Sequence, residues 1–174
     1  MRVNIRQENT DDFNTVFEEN KLAFGQDNEA NLVALLRKSN AFIPELSMVA
    51  TLENKIVGYI LFTKIQIANN DKSETESLAL APVAVRPEFQ HRGIGGQLIK
   101  HGLDKARELQ YRSVVVLGHK DYYPKFGFEA TTKWNIKSPF NISDKGNFMG
   151  IELIKDGLKN SDGLVKYPKE FETV

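Results

Sequence analysis

The chain has 174 residues, which suits one domain with a sizeable core, since domains usually contain about 100–200 residues. Its 23 Lys and Arg residues balance 23 Asp and Glu residues, so the composition argues against nucleic acid or a membrane as partner. Without cysteine, the chain cannot form disulfides, use a thiol nucleophile or bind a metal through thiolates. A signal peptide and a run of about 18 apolar residues are both missing from the sequence. We therefore expect a cytoplasmic protein with a single domain over residues 1–174.

Two helices are predicted near the amino terminus, after a half-buried first strand over residues 3–6. Residues 10–12, Thr-Asp-Asp, form a helix-start signal, because a capping hydroxyl precedes carboxylates in the first turn. The second helix is predicted to begin near residue 27 or 28. Its inward-facing positions are leucines: Leu32, Leu35 and Leu36. Residues 24–26, between the two helices, are predicted to form a mobile loop.

A β-hairpin is predicted next, with arms over residues 47–52 and 56–67 and a turn between them. Gly58 lies inside the second arm, where a glycine indicates a bulge or a close backbone approach. The polar residues 69–75 are predicted to form a surface loop.

The stretch over residues 80–100 combines a buried strand, a break and a glycine-rich helix start. The strand is predicted over residues 80–85, and Arg86-Pro87 ends it because proline cannot donate to a sheet ladder. Glycines at positions 93, 95 and 96 lead into a helix predicted to reach about residue 109. Free N–H groups at such a helix start attract anions, and Arg92 adds a positive charge. The pattern predicts a phosphate-binding site.

The rest of the chain is predicted to complete one α/β domain. A β-branched strand over residues 113–118 follows the helix, which indicates parallel pairing with the strand before it. Residues 121–126 are predicted to form a short helical segment. Late strands are predicted over residues 128–136 and 148–153, so that the core covers about residues 3–155 and the tail is irregular.

Three phosphate-binding motifs, and one alternative without a ligand, compete for the glycine cluster. The P-loop pattern does not occur, and the dinucleotide fingerprint fails because Leu98 takes its third glycine position. The remaining pattern is Gln90-His91-Arg92-Gly93-Ile94-Gly95, that is Gln/Arg-x-x-Gly-x-Gly/Ala. The alternative is that the glycines only allow the helix to pack tightly after a turn.

The sequence closely resembles the GNAT superfamily of acyl-CoA-dependent N-acyltransferases. The resemblance rests on this loop, on the strand before it, and on a second block, Tyr123-Pro124-Lys125-Phe126-Gly127-Phe128. Within the superfamily, it resembles a group of small bacterial-type N-acetyltransferases whose acceptors are mostly unassigned. The resemblance implies an α/β (α+β in some schemes) GNAT fold, in which a mixed central sheet splays apart at the acetyl-CoA cleft and is flanked by helices.

The resemblance also implies how acetyl-CoA is bound. The pantetheine arm is expected to pair with the strand before the loop as an added strand, and the pyrophosphate to bind the loop's N–H groups. The implied cofactor-binding residues are Val83, Ala84, Val85, Gln90, His91, Arg92, Gly93, Ile94, Gly95, Gly96, Tyr123 and Phe126. The His91 side chain is expected to face solvent. Arg92 is expected either to touch the pyrophosphate or to lie on the surface.

Tyr123 matches the family position whose hydroxyl donates a proton to the departing sulfur. A phenol with a pKa of about 10 is protonated at neutral pH, so this general acid is always ready to donate. The adjacent Tyr122 is one residue out of register with the Gly-Phe pair, and an aromatic packing role is the alternative for Tyr123. Candidates for a base or proton relay are Glu45 and Glu76, each just before a predicted strand, and His119. For each of the three, an ordinary surface role is the alternative.

The expected function is N-acetyltransfer from acetyl-CoA to an amine of a small molecule, peptide or protein, by direct attack on the thioester. A covalent acyl-cysteine is excluded, and no paired His and Asp signal supports an acyl-serine. The alternatives are a non-catalytic acyl-CoA-binding regulatory domain and a Rossmann-like nucleotide binder. We expect no metal, no nucleic acid and no membrane partner, and either a monomer or a homodimer. A homodimer could form through an exposed late strand.

Overall fold

The computed structural model describes residues 1–173. It contains α1 (Phe13–Phe24), α2 (Asn28–Leu36) and α3 (Ile94–Glu108). The strands are β1 (Asn4–Gln7), β2 (Phe42–Leu52), β3 (Lys55–Asn69), β4 (Glu74–Val85), β5 (Ser113–Leu117), β6 (Glu129–Ala130), β7 (Ile136–Lys137), β8 (Phe148–Glu152) and β9 (Gly163–Lys166). Short 3-10 segments include Tyr123–Phe126 and Thr131–Trp134.

The strands form a mixed sheet in the order β1-β2-β3-β4-β5-β8-β6, and β9 pairs with both β3 and β7. The pairs β4–β5 and β7–β9 are parallel, as a strand–helix–strand connection requires for β4 and β5. The chain divides into two compact units. Unit 1 holds residues 1–63, 81–105 and those from Lys169 onward, whereas unit 2 holds residues 64–80 and 106–168.

Unit 1 packs helices on both faces of its strands, because neighbouring residues of a strand point to opposite sides. On one face, Tyr59 and Leu61 of β3 join a buried cluster with side chains of α1 and α2, such as Val16 and Leu36. On the other face, α3 approaches closely, since a Cβ added at Gly102 would lie 2.2 Å from the Phe62 ring.

A buried polar network ties β1, β2 and β3 of unit 1 to the end of α2. The Arg37 guanidinium donates to both carboxylate oxygens of Glu8, at 2.9 and 2.8 Å. The Ser47 hydroxyl donates to Glu8 at 2.5 Å and lies 2.6 Å from the Tyr59 hydroxyl. Each buried polar group in this network therefore has a partner, which offsets the cost of taking it out of water.

Unit 2 is built around a second apolar cluster to which β3, β4, β5, β7, β8 and β9 all contribute. Val115 and Val165 in this cluster are fully buried. Ile136 and Phe148 are exposed by only 3% and 2%. Outside the cluster, the Ser77 and Ser113 hydroxyls pair at 2.7 Å and so satisfy each other in the unit's interior.

Several sequence predictions are confirmed, and others are wrong. The second helix begins at Asn28, and β5 begins at Ser113, as predicted. Gly58 combines both predicted features, because the β2–β3 register shifts beside it and an added Cβ would lie 3.1 Å from the Ala84 carbonyl oxygen. Leu35 is 39% exposed, so its predicted burial is wrong.

The corrections concern mainly the later part of the chain. The strand predicted over residues 128–136 is two short strands separated by a 3-10 turn, which ends where Asn135 adopts a φ of +56°. The tail predicted to be irregular contains β9, which pairs with residues 66–69 of β3. The strand predicted over residues 80–85 begins at Glu74.

No helix within residues 1–173 is long and apolar enough to cross a bilayer. The single domain over residues 1–174 stays a prediction, and Val174 lies outside the described residues.

Candidate active site

The loop between β4 and α3 presents a row of unpaired backbone N–H groups. From His91 through Gly96, no backbone N–H group donates a hydrogen bond to any of residues 1–173. His91 and Gly93 have positive φ values of 62° and 82°. Left-handed residues in such a turn are typical of backbone concavities that bind anions. The loop opens α3, so these groups lie at the positive end of the helix dipole. The loop is thus shaped to bind an anion such as a phosphate.

Packing inside unit 1 holds α3 and its loop in place. Ile94 and Leu98 are buried, with exposed fractions of 1% and 0%. Both lie against Gly58, where an added Cβ would come within 3.4 Å of Ile94 and 3.1 Å of Leu98. The predicted glycines divide into two roles, because Gly95 and Gly96 lie in the first turn of α3 and only Gly93 has a positive φ in the loop.

Gln90 ties the loop back to β4. Its side-chain amide donates to the Val85 carbonyl at 2.9 Å. This contact uses an acceptor position that the resemblance assigns to the pantetheine arm, so Gln90 positions the loop in this structure. Val83 and Val85 are half-buried, whereas Ala84 between them is 1% exposed and faces the apolar cluster of unit 1.

The charged side chains of the loop point outward. The His91 side chain is exposed, as predicted. The Arg92 side chain is also exposed, and its guanidinium carbon lies 5.6 Å from the centre of the Phe89 ring. Contact with an aromatic face still leaves the donors at the guanidinium edge available. The direct contact of Arg92 with pyrophosphate stays a prediction.

A buried ion pair, which the sequence analysis missed, lies where β4 enters the loop. Glu19 of α1 has no exposed surface, and its Oε1 lies 2.8 Å from Nη2 of Arg86, outside hydrogen-bond geometry. The Arg86 Nε donates to Oε2 at 3.3 Å. Burial raises the pKa of the Glu19 carboxyl above its ordinary value, and the Arg86 charge opposes that rise. Helical spacing was the local signal for its burial, because Glu19 lies three residues after the buried Val16 on the inward face, whereas Glu18 is exposed.

Tyr123 is positioned by its neighbours in unit 2. Its ring occupies the space beside Gly118, where an added Cβ would lie 2.2 Å from the ring. Edge-on contacts with Tyr122 and Phe128, at centroid distances of 5.2 and 5.7 Å, complete the packing. Within residues 1–173, the Tyr123 hydroxyl makes no hydrogen bond, so it is available to donate to a ligand. Phe126 is half-buried, and its ring contacts the Tyr122 ring rather than that of Tyr123.

The surroundings of Tyr123 keep its hydroxyl protonated. Burial, followed by the influence of Tyr122, raises the pKa of Tyr123 to about 12. This value is above the pKa of about 8.5 of a typical thiol, so complete proton transfer to a thiolate is uphill. A hydrogen bond from the hydroxyl to a developing thiolate remains favourable, because the charge is stabilised without transfer of the proton.

The predicted base candidates lie on exposed surface. Glu45 and Glu76 are exposed and lie inside β2 and β4, not before them as predicted. His119 has a side chain that is 71% exposed, and its Nδ1 accepts a hydrogen bond from the Asp121 N–H at 3.2 Å. None of the three is held in a buried polar environment, and their roles stay predictions. Residues 1–173 contain no grouping of three His, Asp or Glu residues suited to a metal ion.

Comparison with known proteins identifies the family of this chain. The acetyltransferase (GNAT) family matches residues 6–128 of the chain. The Escherichia coli K12 protein named uncharacterized N-acetyltransferase YjhQ is 45% identical over 107 residues, which are 62% of this chain and 59% of YjhQ. Uncharacterized N-acetyltransferase YhbS of the same strain is 32% identical over 150 residues, which are 86% of each chain.

Solved structures agree with the sequence relatives. The crystal structure of Escherichia coli YhbS in complex with CoA matches with a TM-score of 0.89 and 29% identity, and the match covers 99% of this chain and 93% of YhbS. A Brucella melitensis GNAT family acetyltransferase in complex with acetyl-CoA matches with a TM-score of 0.77 and 29% identity, covering 98% of both chains. The mixed sheet and its helices therefore form a GNAT fold. Because the family match covers most of the chain and the YhbS match nearly all of it, the chain belongs to the acetyltransferase (GNAT) family, a family of acyltransferases.

Proposed function

We propose that this protein transfers an acetyl group from acetyl-CoA to the amine of a small molecule, peptide or protein. The observation that carries the proposal is the row of unpaired N–H groups from His91 through Gly96 at the start of α3. The CoA and acetyl-CoA complexes of two similar structures support the choice of ligand for this loop.

The loop supplies binding for the pyrophosphate. Its N–H groups donate hydrogen bonds to the phosphate oxygens, and the dipole of α3 favours their negative charge. Glycine at position 93 allows the left-handed backbone on which this arrangement depends. Gln90 holds the loop against the end of β4 through the Val85 carbonyl.

The chemical step is direct attack of the amine nitrogen on the thioester carbonyl. The C–N bond forms, the C–S bond breaks, CoA leaves as a thiolate, and the amine nitrogen releases a proton. The Tyr123 hydroxyl donates a hydrogen bond to the sulfur as its charge develops. A lysine-type amine, with a pKa of about 10.4, must first lose a proton, which costs roughly 4–5 kcal/mol near neutral pH. An α-amine, with a pKa near 8, costs far less.

Ligand binding is tested by thermal unfolding. Acetyl-CoA and CoA should stabilise the folded protein, by about 2.7 kcal/mol at a hundredfold excess over Kd. NAD and ATP serve as comparison ligands. Stabilisation by NAD or ATP, but not by CoA, would contradict the proposal and favour a nucleotide-binding protein.

Turnover is tested by measuring CoA release across polyamines, amino acids, aminoglycosides and peptide N-termini. Binding of acetyl-CoA with no amine-dependent release in this screen would favour the alternative of a regulatory acyl-CoA-binding domain. With an accepted amine, Tyr123→Phe should lower kcat about 10²-fold and leave the Kd of acetyl-CoA nearly unchanged. Tyr122→Phe is the matched control and should retain activity. If Tyr122→Phe lost activity and Tyr123→Phe did not, Tyr122 rather than Tyr123 would be the hydrogen-bond donor to the sulfur.

The pH dependence of the rate gives an independent test of Tyr123. Since its pKa is raised to about 12, the hydroxyl stays protonated throughout the usual assay range. The value of kcat/KM should therefore rise with pH as the amine loses its proton, without a fall near pH 10. A decline centred near pH 10 that disappears in Tyr123→Phe would show that the hydroxyl titrates like an ordinary phenol.

A further inference from the structure

Unit 2 contains a cavity of about 450 Å³, and its lining includes no residue of α3 or of the loop before it. Its walls come from the segment between residues 131 and 148. The volume falls within the range of small-molecule sites, about 300–1,000 Å³. Ile136 and Phe148 form a buried apolar part of the wall, whereas Phe140 is 42% exposed.

The cavity is connected to the segment that carries Tyr123. Phe148 of the wall pairs with Leu117, the last residue of β5. Beyond this pair, the Gly118 N–H donates to the Asn147 carbonyl at 2.9 Å, and the Lys120 N–H donates to the Asn147 side chain at 3.2 Å. Gly118 in turn lies against the Tyr123 ring. The cavity wall and the tyrosine therefore share one hydrogen-bonded strand end.

The charged groups of the cavity wall all have the same sign. Lys137 and Lys145 line the cavity, and no acidic residue does. Within residues 1–173, neither ammonium group has a carboxylate partner. The neighbouring Asp144 is already paired, because its carboxylate accepts from Lys120 at 2.7 Å and from the Gly146 N–H at 2.8 Å. The hydrogen bond from Lys120 lowers the pKa of Asp144 below its ordinary value.

The uncharged polar groups of the wall are hydroxyls and amides. They belong to Thr131, Thr132, Asn135, Ser138 and Asn141. The Ser138 hydroxyl already accepts from the Phe140 N–H at 3.1 Å, which leaves its own proton free to donate. Two lysines with solvent-exposed side chains and several hydrogen-bond donors line this one cavity. Such a lining suits an anionic group, while the apolar wall suits a hydrocarbon body.

We propose that this cavity binds the acceptor amine and that the acceptor carries an anionic group, a carboxylate or a phosphate, held by Lys137 and Lys145. The inference rests on the proposed function for the identity of the ligand as an acceptor. The amine points toward the strand end shared with Tyr123, and the anionic group lies between the two ammonium groups. Polyamines and aminoglycosides are poor acceptors, since their added positive charges face the same lysines.

Binding is measured by calorimetry on the full chain saturated with CoA, so that the result does not depend on turnover. The probes are matched pairs that differ in the anionic group: each amino acid with its amide, and O-phosphoethanolamine with ethanolamine. Spermidine is the cationic probe. The anionic member of a pair should bind at least about tenfold more tightly than its neutral partner. Whether this preference is larger for the amino acids or for O-phosphoethanolamine shows whether the acceptor carries a carboxylate or a phosphate. Absence of binding by every anionic amine, or equal binding within all pairs, would overturn the inference.

The lysines are tested with a matched control on the same segment. Lys137→Gln and Lys145→Gln should each weaken binding of the anionic probe about five- to tenfold. Lys133→Gln removes an exposed lysine that pairs with Glu129 outside the cavity wall, and it should leave binding unchanged. Lys145→Glu should reverse the preference, so that the member of a pair without the anionic group binds more tightly than the anionic member. Circular dichroism of each variant checks that the fold is kept. Unchanged affinity in both Gln variants and in Lys145→Glu would overturn the inference.

The outcomes separate this inference from the proposed function. Tight binding of anionic amines without any CoA release would support the cavity and contradict acetyl transfer. Rapid CoA release with spermidine, unaffected by Lys137→Gln and Lys145→Gln, would support acetyl transfer and contradict the anionic acceptor.

Discussion

Asp12 shows how one side chain organises the amino end of unit 1. Its Oδ2 accepts from the Arg6 guanidinium at 2.7 Å and from the Asn9 N–H at 2.8 Å. In return, the Asn9 side chain accepts from the Asp11 N–H, which completes a capping box before α1. The sequence analysis predicted a cap at Thr10, but the capping residue is Asn9, because the first turn begins one residue earlier.

The first prediction concerns Asp12 and acid stability. The hydrogen bond from Arg6, the largest cause, lowers the pKa of Asp12 below its ordinary value of about 3.9. A carboxylate with a lowered pKa stabilises the fold above about pH 4, and this stabilisation is lost as the pH falls through its folded-state pKa. Asp12→Asn should therefore lower the free energy of unfolding by roughly 1–3 kcal/mol at pH 7 and by much less near pH 2.5.

Urea unfolding at the two pH values measures this difference. Asp11→Asn is the control, since Asp11 is an exposed neighbour without the Arg6 contact. An equal loss of stability in Asp12→Asn at both pH values would contradict an electrostatic role for the carboxylate.

The second prediction concerns Gly118 and the tyrosine ring. A methyl group at this position would come within 2.2 Å of the ring, so Gly118→Ala must displace Tyr123. We expect kcat to fall about tenfold or more with little change in the Kd of acetyl-CoA, because a displacement near 1 Å is costly in an active site. The control is a double-mutant cycle: in the Tyr123→Phe background, the same change should have a much smaller effect. Equal effects in both backgrounds would mean that Gly118 does not act through Tyr123.

At the scale of elements, α3 and the loop between β4 and α3 form one structural element. The loop was predictable because its glycines, the proline break and the apolar spacing of the helix are all local features. The late strands were harder to predict. Aromatic and β-branched residues between positions 128 and 136 favour a strand, but the backbone turns through Thr131–Trp134 and continues as β7 against β9. Pairing with β9 is a distant contact that local spacing does not contain.

The third prediction compares two glycines with similar backbones. Gly93 and Gly25 have φ values of 82° and 69°, and neither has a neighbour that an added Cβ would touch. Alanine at either position should cost about 1 kcal/mol of stability, since alanine disfavours this backbone region. Only Gly93→Ala should also weaken CoA binding, by about tenfold, because its strain is relieved by turning loop N–H groups away.

Chemical unfolding and a CoA titration of both variants measure these effects. Gly25 ends α1 and lies outside the loop, so Gly25→Ala reports strain without the binding effect. Equal CoA affinities in the two variants would show that the loop backbone does not bind the ligand.

For the whole molecule, the carboxyl-terminal region is part of the core. Val165 of β9 is fully buried in the cluster of unit 2, while the adjacent Leu164 is 44% exposed. The segment Lys169–Thr173 belongs to unit 1, where Phe171 packs against the buried cluster. A chain that ended near residue 155 would therefore lose structure from both units.

The fourth prediction compares neighbouring positions on β9. Val165→Ala should lower the free energy of unfolding by roughly 1–3 kcal/mol, because it removes buried methyl groups and leaves a cavity. Leu164→Ala should change it by less than about 0.5 kcal/mol, since that side chain is largely solvated. Urea unfolding of both variants measures the difference. Similar small effects at both positions would mean that β9 is not part of the cooperative core.

The sequence by itself determined the glycine-rich loop between β4 and α3, the helix that follows it, the tyrosine block and the family, because each depends on residues close together in the chain. Only the tertiary structure decided that Glu19 is buried against Arg86, that Gly118 shapes the space of Tyr123, and that two lysines share one cavity wall. Those contacts join residues that are far apart in the chain or hidden by an ordinary local pattern. The loop between β4 and α3 therefore carries the proposal for the acyl donor, and the distant contacts of unit 2 carry the proposal for the acceptor.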